Sequence, residues 1–214
     1  MSSLTIPPVD SLQSLPESSI TAALDLLFEP SVDLHDLVLP AIRSTPFSSY
    51  DALISAVGEK LLDLATAAHL AALETGNGNG NGNGNELPDE RKKLHGILGA
   101  HPRLGASKPK KLKEEGEVEE ELSEQSKAEQ KQLRGGDPDE AEKLRALNEE
   151  YERVFPGLRY VVFVNGRGRE EVMGDMRVRI ARGDVRAEER AALQAMCDIA
   201  RDRAGKLLKA QGRV

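Results

Sequence analysis

Cysteine is nearly missing from this chain: Cys197 is its single thiol among 214 residues. That excludes an intramolecular disulfide, gives no support for a cysteine-rich metal site, and fits a reducing compartment. A basic excess is also missing. Lys and Arg number 29 against 36 Asp and Glu, for a net charge of −7 and an isoelectric point near 5.3. A nucleic acid partner is therefore not expected, because sequence-independent backbone binders present a basic surface. No apolar run approaches the ~20 residues that a membrane span requires, and residues 1–30 carry no basic start followed by an apolar core. The C-terminal Gly212-Arg213-Val214 is not a serine-lysine-leucine peroxisomal address. The expectation is a soluble intracellular protein, cytoplasmic or peroxisomal, with no membrane partner.

Chemical motifs are thin as well. The four histidines, His35, His69, His95 and His101, include no pair three or four residues apart, the spacing by which one helix face builds a metal site, so no metal is expected. There is no Gly-x-Ser-x-Gly elbow and no phosphate-binding Gly-rich loop; Gly166-Arg-Gly168 lacks a third glycine at the right spacing.

What is present reads as helix. At 39% hydrophobic and 30% charged residues, the chain suits one well-buried domain. Residues 1–15, rich in Ser and Pro, are expected to be a loose lead-in to a domain over 16–210. Apolar residues recur at helical spacing in Ile20, Ala23, Leu24, Leu27 and Phe28, then over Leu34–Ile42, then in Leu53, Val57, Leu61 and Leu64 after a cap at Ser48. Further helices are predicted at Leu94–Leu98, Leu122–Leu133, Pro138–Phe155, Glu170–Ala181 and Ala187–Ala210. The predicted class is an all-α, single-domain bundle with two loop insertions. One insertion, at 75–86, contains five Gly-Asn pairs and reads as a linker; the other, at 109–121, is dense in Lys and Glu and reads as a solvated segment or a docking site. Tyr160-Val-Val-Phe-Val164 is the one strand-like run.

Two polar groupings stand out. In His101-Pro102 the proline biases the histidine out of helical geometry, so the imidazole is presented at a helix end. Such a histidine fits acid–base work and fits equally a loop histidine bonded to backbone. Ser126, Glu129 and Gln130 share one face of a predicted helix, as a ligand site or as ordinary surface.

Taken in order, these pieces resemble the 2-oxo-4-hydroxy-4-carboxy-5-ureidoimidazoline decarboxylase family. The resemblance rests on Leu26-Leu27-Phe28-Glu29-Pro30, His101-Pro102-Arg103-Leu104-Gly105 and Ser126-x-x-Glu129-Gln130. It continues through Leu147-Asn148-x-x-Tyr151, Tyr160 to Gly166, and Ile199-Ala200-x-x-Arg203. It implies an all-helical fold in which Tyr160–Val164 is an extended or bent segment threaded into the bundle rather than part of a sheet. It implies a cofactor-independent conversion of a small-molecule ureidoimidazoline to S-allantoin in urate catabolism, and allows a homodimer. His101 would be the catalytic proton donor and Glu129 its acidic companion. Pro102, Ser126, Gln130 and the backbone of Tyr160, Val161, Val162, Phe163 and Val164 would line the substrate pocket, and Arg203 would meet the anionic end of the substrate. The chain departs from compact relatives in its two insertions and in lacking a tryptophan near the first helices. The competing expectation is a helical scaffold that keeps the fold and docks partners through 109–121.

Overall fold

The computed structural model describes residues 4–74, 87–105 and 138–213. Among the described residues there are seven α-helices, one 3-10 helix over Val9–Ser14, and no strand. We number the α-helices α1 (Glu17–Phe28), α2 (Val32–Ser44), α3 (Tyr50–Glu74), α4 (Asp89–Gly99), α5 (Pro138–Val154), α6 (Arg169–Arg182) and α7 (Val185–Ala210). The predicted helix over Leu122–Leu133 and both insertions lie outside the described residues. The fold is all-α, as the periodicity predicts.

Each helix forms where its apolar spacing and local chemistry agree. In α1 the residues Ile20, Ala23, Leu24, Leu27 and Phe28 are all buried, a stripe that closes on the core every three or four residues. Ser31 caps α2 by accepting from the Leu34 amide at 3.3 Å. For α3 the cap is Ser49, whose Oγ accepts from the Ala52 amide at 3.1 Å, one residue beyond the expected Ser48. Gly183 sits at φ 60 and ends α6, and Asp184 caps α7 through the Ala187 amide at 3.0 Å. This joint folds the end of α6 back against the start of α7.

The long helices α3 and α7 pack on each other at the centre, with α4 against α3, α1 against α7, and α5 against α6. At the α3–α7 crossing a Cβ placed on Gly58 would lie 3.1 Å from the Cys197 sulfur, so the small residue permits the close approach. No described helix is long and apolar enough to cross a membrane.

The N-terminal expectation is corrected. Residues 6–15 are not loose: Ile6 and Leu12 are buried in the core. The Tyr50 hydroxyl donates to the Pro7 carbonyl at 2.8 Å, Arg213 donates to the Ile6 carbonyl at 3.1 Å, and Arg43 donates to the Gln13 and Leu15 carbonyls. Composition alone reads Ser and Pro there as unstructured, but two apolar anchors at the right separation are enough to dock the segment.

Candidate active site

His101 follows directly on α4. The helix ends at Gly99, the His101 amide donates to the Leu98 carbonyl at 3.4 Å, and Pro102 stops the helical path. The residue is 5% exposed, and its Nε2 is buried with no hydrogen-bond partner among the described residues. A buried imidazole nitrogen left unpaired costs stability, which is why such atoms concentrate where a ligand is to be met.

The His-Pro-Arg-Leu turn is fastened from α5. Asn148 donates through Nδ2 to the Leu104 carbonyl at 3.1 Å and to the Leu144 carbonyl at 3.0 Å. Arg103 forms a two-pronged pair with Glu152, 2.6 Å through Nε. Arg159 donates to the His101 carbonyl itself at 3.4 Å. Gly105 closes the turn at φ 73, where a Cβ would strike Leu144 at 2.5 Å; only glycine allows the turn to lie this close to α5.

The electrostatic setting comes from residues remote in sequence. Arg203 of α7 is 2% exposed and donates to Glu29 at 2.7 Å and to the Leu27 carbonyl at 3.4 Å. Glu29 is itself 3% exposed and ends α1 with φ 69 and ψ 153. That backbone region is one non-glycine residues occupy at a cost of about 1–3 kcal/mol, and it concentrates at functional sites. Burial, and then the Arg203 charge, push the His101 imidazole down to about 4, with Glu29 opposing them. At neutral pH the histidine is neutral.

Tyr160 to Val164 has no regular secondary structure, is mostly buried, and belongs to no sheet. Its carbonyls are held by arginines: Arg179 donates to Val161 at 3.4 Å, and Arg167 donates to Val164 at 3.3 Å and also to Phe163. Its five amides donate to no acceptor among the described residues.

Of the residues singled out in the sequence, Arg203 lies within electrostatic reach of His101, and Arg159, next to the segment 160–164, bonds the His101 carbonyl. Pro102 is half-buried beside the histidine. Ser126, Glu129 and Gln130 lie outside the described residues. Arg201, two residues before Arg203, is directed elsewhere, to Asp51 at 2.7 Å and Ser55 at 3.1 Å on α3. The residue that sequence reasoning left without a role is Glu29. Its signal was its place in Phe28-Glu29-Pro30, an acid at a helix end directly before a proline. Among the described residues no group of three or more His, Cys, Asp or Glu is placed to hold a metal.

Comparison with known families gives the class first: residues 13–205 match a family of carboxy-lyases. That family is OHCU decarboxylase, and the chain belongs to it. It is an enzyme that decarboxylates 2-oxo-4-hydroxy-4-carboxy-5-ureidoimidazoline, a small-molecule substrate, in urate degradation. No curated protein matches the chain.

Proposed function

We propose that the product is S-allantoin and that His101 sets its handedness by delivering a proton to one face of the ring. The observation that carries this reading is the buried Nε2 of His101 at the end of α4, unpartnered among the described residues and within electrostatic reach of the Glu29–Arg203 pair.

The chemistry needs no external electron sink, because the carboxylated carbon of the substrate adjoins a ring imine. As the bond to the carboxylate breaks, its electron pair forms a ring double bond, and the imine nitrogen takes a proton. The resulting enol gains a proton at the former imine carbon and loses its hydroxyl proton to become the carbonyl. The substrate anion thus takes up one proton in all and releases CO2. The protein must orient the ring and control the carbon protonation, both of which side chains supply.

The resting state of the site suits that task. His101 is kept neutral by its burial and by Arg203, so it carries one N–H without a permanent buried charge. Arg203 is the cation placed to meet the substrate carboxylate. An anion arriving beside Arg203 offsets the charge that disfavours the imidazolium, so His101 gains proton affinity when substrate is bound. Glu129, Ser126 and Gln130 complete the pocket by the family's motif order, with Glu129 as the acidic companion of His101. Pro102 and the backbone of Tyr160 to Val164 form its remaining wall. A homodimer in the cytoplasm or peroxisome belongs to the same reading, and light scattering tests the assembly.

The test is the circular dichroism of allantoin formed from urate with uricase and the preceding hydrolase. Wild type should give the S enantiomer rapidly. His101→Ala, with helical dichroism intact, should give the slow racemic product of the uncatalysed reaction, a loss of about 10²–10⁴ in rate. Wild-type turnover by the alanine variant removes His101 from the mechanism.

A further inference from the structure

We propose that Arg179 is a positioning residue for this reaction: held by Glu188 and Asp175, it fixes the buried segment 160–164, whose amides, unpaired among the described residues, supply donors to the substrate. The proposal rests on the reading of that segment as the pocket wall.

Arg179 occupies the last turn of α6, yet it works across three elements. Its Nη1 donates to the Val161 carbonyl at 3.4 Å and to Glu188 of α7 at 3.1 Å. Its Nε pairs with Asp175 one turn back at 2.9 Å. Its guanidinium lies 5.0 Å from the Tyr160 ring centroid, over the face of that ring. The anchor behind it is Glu188, a carboxylate with no solvent exposure. Glu188 also accepts from the Tyr151 hydroxyl at 2.6 Å and pairs with Arg182 at 3.0 Å. Tyr160 completes the clamp, donating to Asp175 and standing edge-on to Tyr151 with centroids 5.5 Å apart.

This is an unusual investment for a loop. A buried segment outside any helix normally satisfies its backbone in a sheet. Here the carbonyls of Val161, Phe163 and Val164 accept from arginine side chains, while the amides are left without an acceptor among the described residues. Amide donors on a segment held rigid by arginines suit a planar substrate rich in carbonyl acceptors, and a ureidoimidazoline is one. Rigid donors need no reorganisation when the ligand arrives. The planar fork of Arg179 matters, because it reaches Val161, Glu188 and Asp175 at once; a lysine supplies the charge without the geometry.

Arg179→Lys therefore separates positioning from folding. Wild type, Arg179→Lys and Arg179→Met are assayed with substrate generated in place from urate, and urea unfolding is followed for each. The lysine variant should keep most of its stability, since a cation still faces Glu188, while its KM rises about tenfold with kcat changed less. The methionine variant, which strands the buried carboxylate, should lose both stability and activity. A lysine variant with wild-type KM, or one whose activity loss is only its loss of folded protein, overturns the proposal. Failure of the underlying reading looks different: Val162→Pro, which removes one of the segment's amides, would then leave the KM of the folded enzyme unchanged, whereas a true pocket wall makes it rise.

Discussion

At the scale of single residues, the chain places its buried charges where sequence patterning gives least warning. Glu188 sits in Val185-Arg-Ala-Glu-Glu-Arg190, a stretch that reads as solvated surface, yet it is fully buried. Burial is tolerable because Tyr151, Arg179 and Arg182 converge on it, and a carboxylate without them would cost several kcal/mol. Glu29 and Arg203 are separated by 174 residues, so no local periodicity relates them. His101 was legible because proline beside a histidine has a local meaning; its lowered proton affinity was not, since Arg203 supplies part of it from another helix. That affinity makes a stability prediction. The imidazole stands at about 4 in the folded chain against 6.5 ordinarily, so between those values the unfolded chain binds more protons. Stability from this source is complete above pH 6.5 and declines as the pH falls toward 4, by about 3 kcal/mol across the whole interval. Urea midpoints measured from pH 7 to pH 4 should show that slope in wild type and lose it in His101→Asn.

At the scale of elements, the helices themselves were the readable part. Leu53, Val57 and Leu61 on α3, Leu144, Leu147 and Tyr151 on α5, and Leu193, Cys197, Ala200 and Ala204 on α7 face the core as their spacing requires. The ties between elements were not readable, because a hydrogen bond from a helix side chain to a distant turn has no period. Asn148 is such a tie, and it explains why an amide belongs after Leu147: it holds the Leu104 carbonyl and with it the turn that starts at His101. Asn148→Leu preserves helix and volume but leaves the Leu104 carbonyl without that donor. We expect about 1–3 kcal/mol of destabilisation by urea unfolding. Turnover should fall further than the folded fraction does, since His101 loses its fixed direction.

At the scale of the whole molecule, the two ends of the chain meet. The Ile6 carbonyl accepts from Gln211 and Arg213 just beyond α7, while Tyr50 of α3 holds Pro7. The N-terminal segment thus ties the start of α3 to the residues just beyond α7. Deleting residues 1–12 removes the buried Ile6 and Leu12, each contributing about 1.5–3 kcal/mol at most. The shortened chain should unfold at distinctly lower urea while keeping its helical dichroism before the transition; an unchanged midpoint would show that the segment merely rests on the surface. The seam between α3 and α7 has a use at the bench. Cys197 is pressed against Gly58 inside it, and burial raises its thiol proton affinity, so in the closed molecule the sulfur is neither reachable nor ionised. The protein has no tryptophan to report its state by fluorescence. A thiol reagent supplies the missing reporter, because each molecule labelled records one occasion on which the two longest helices parted.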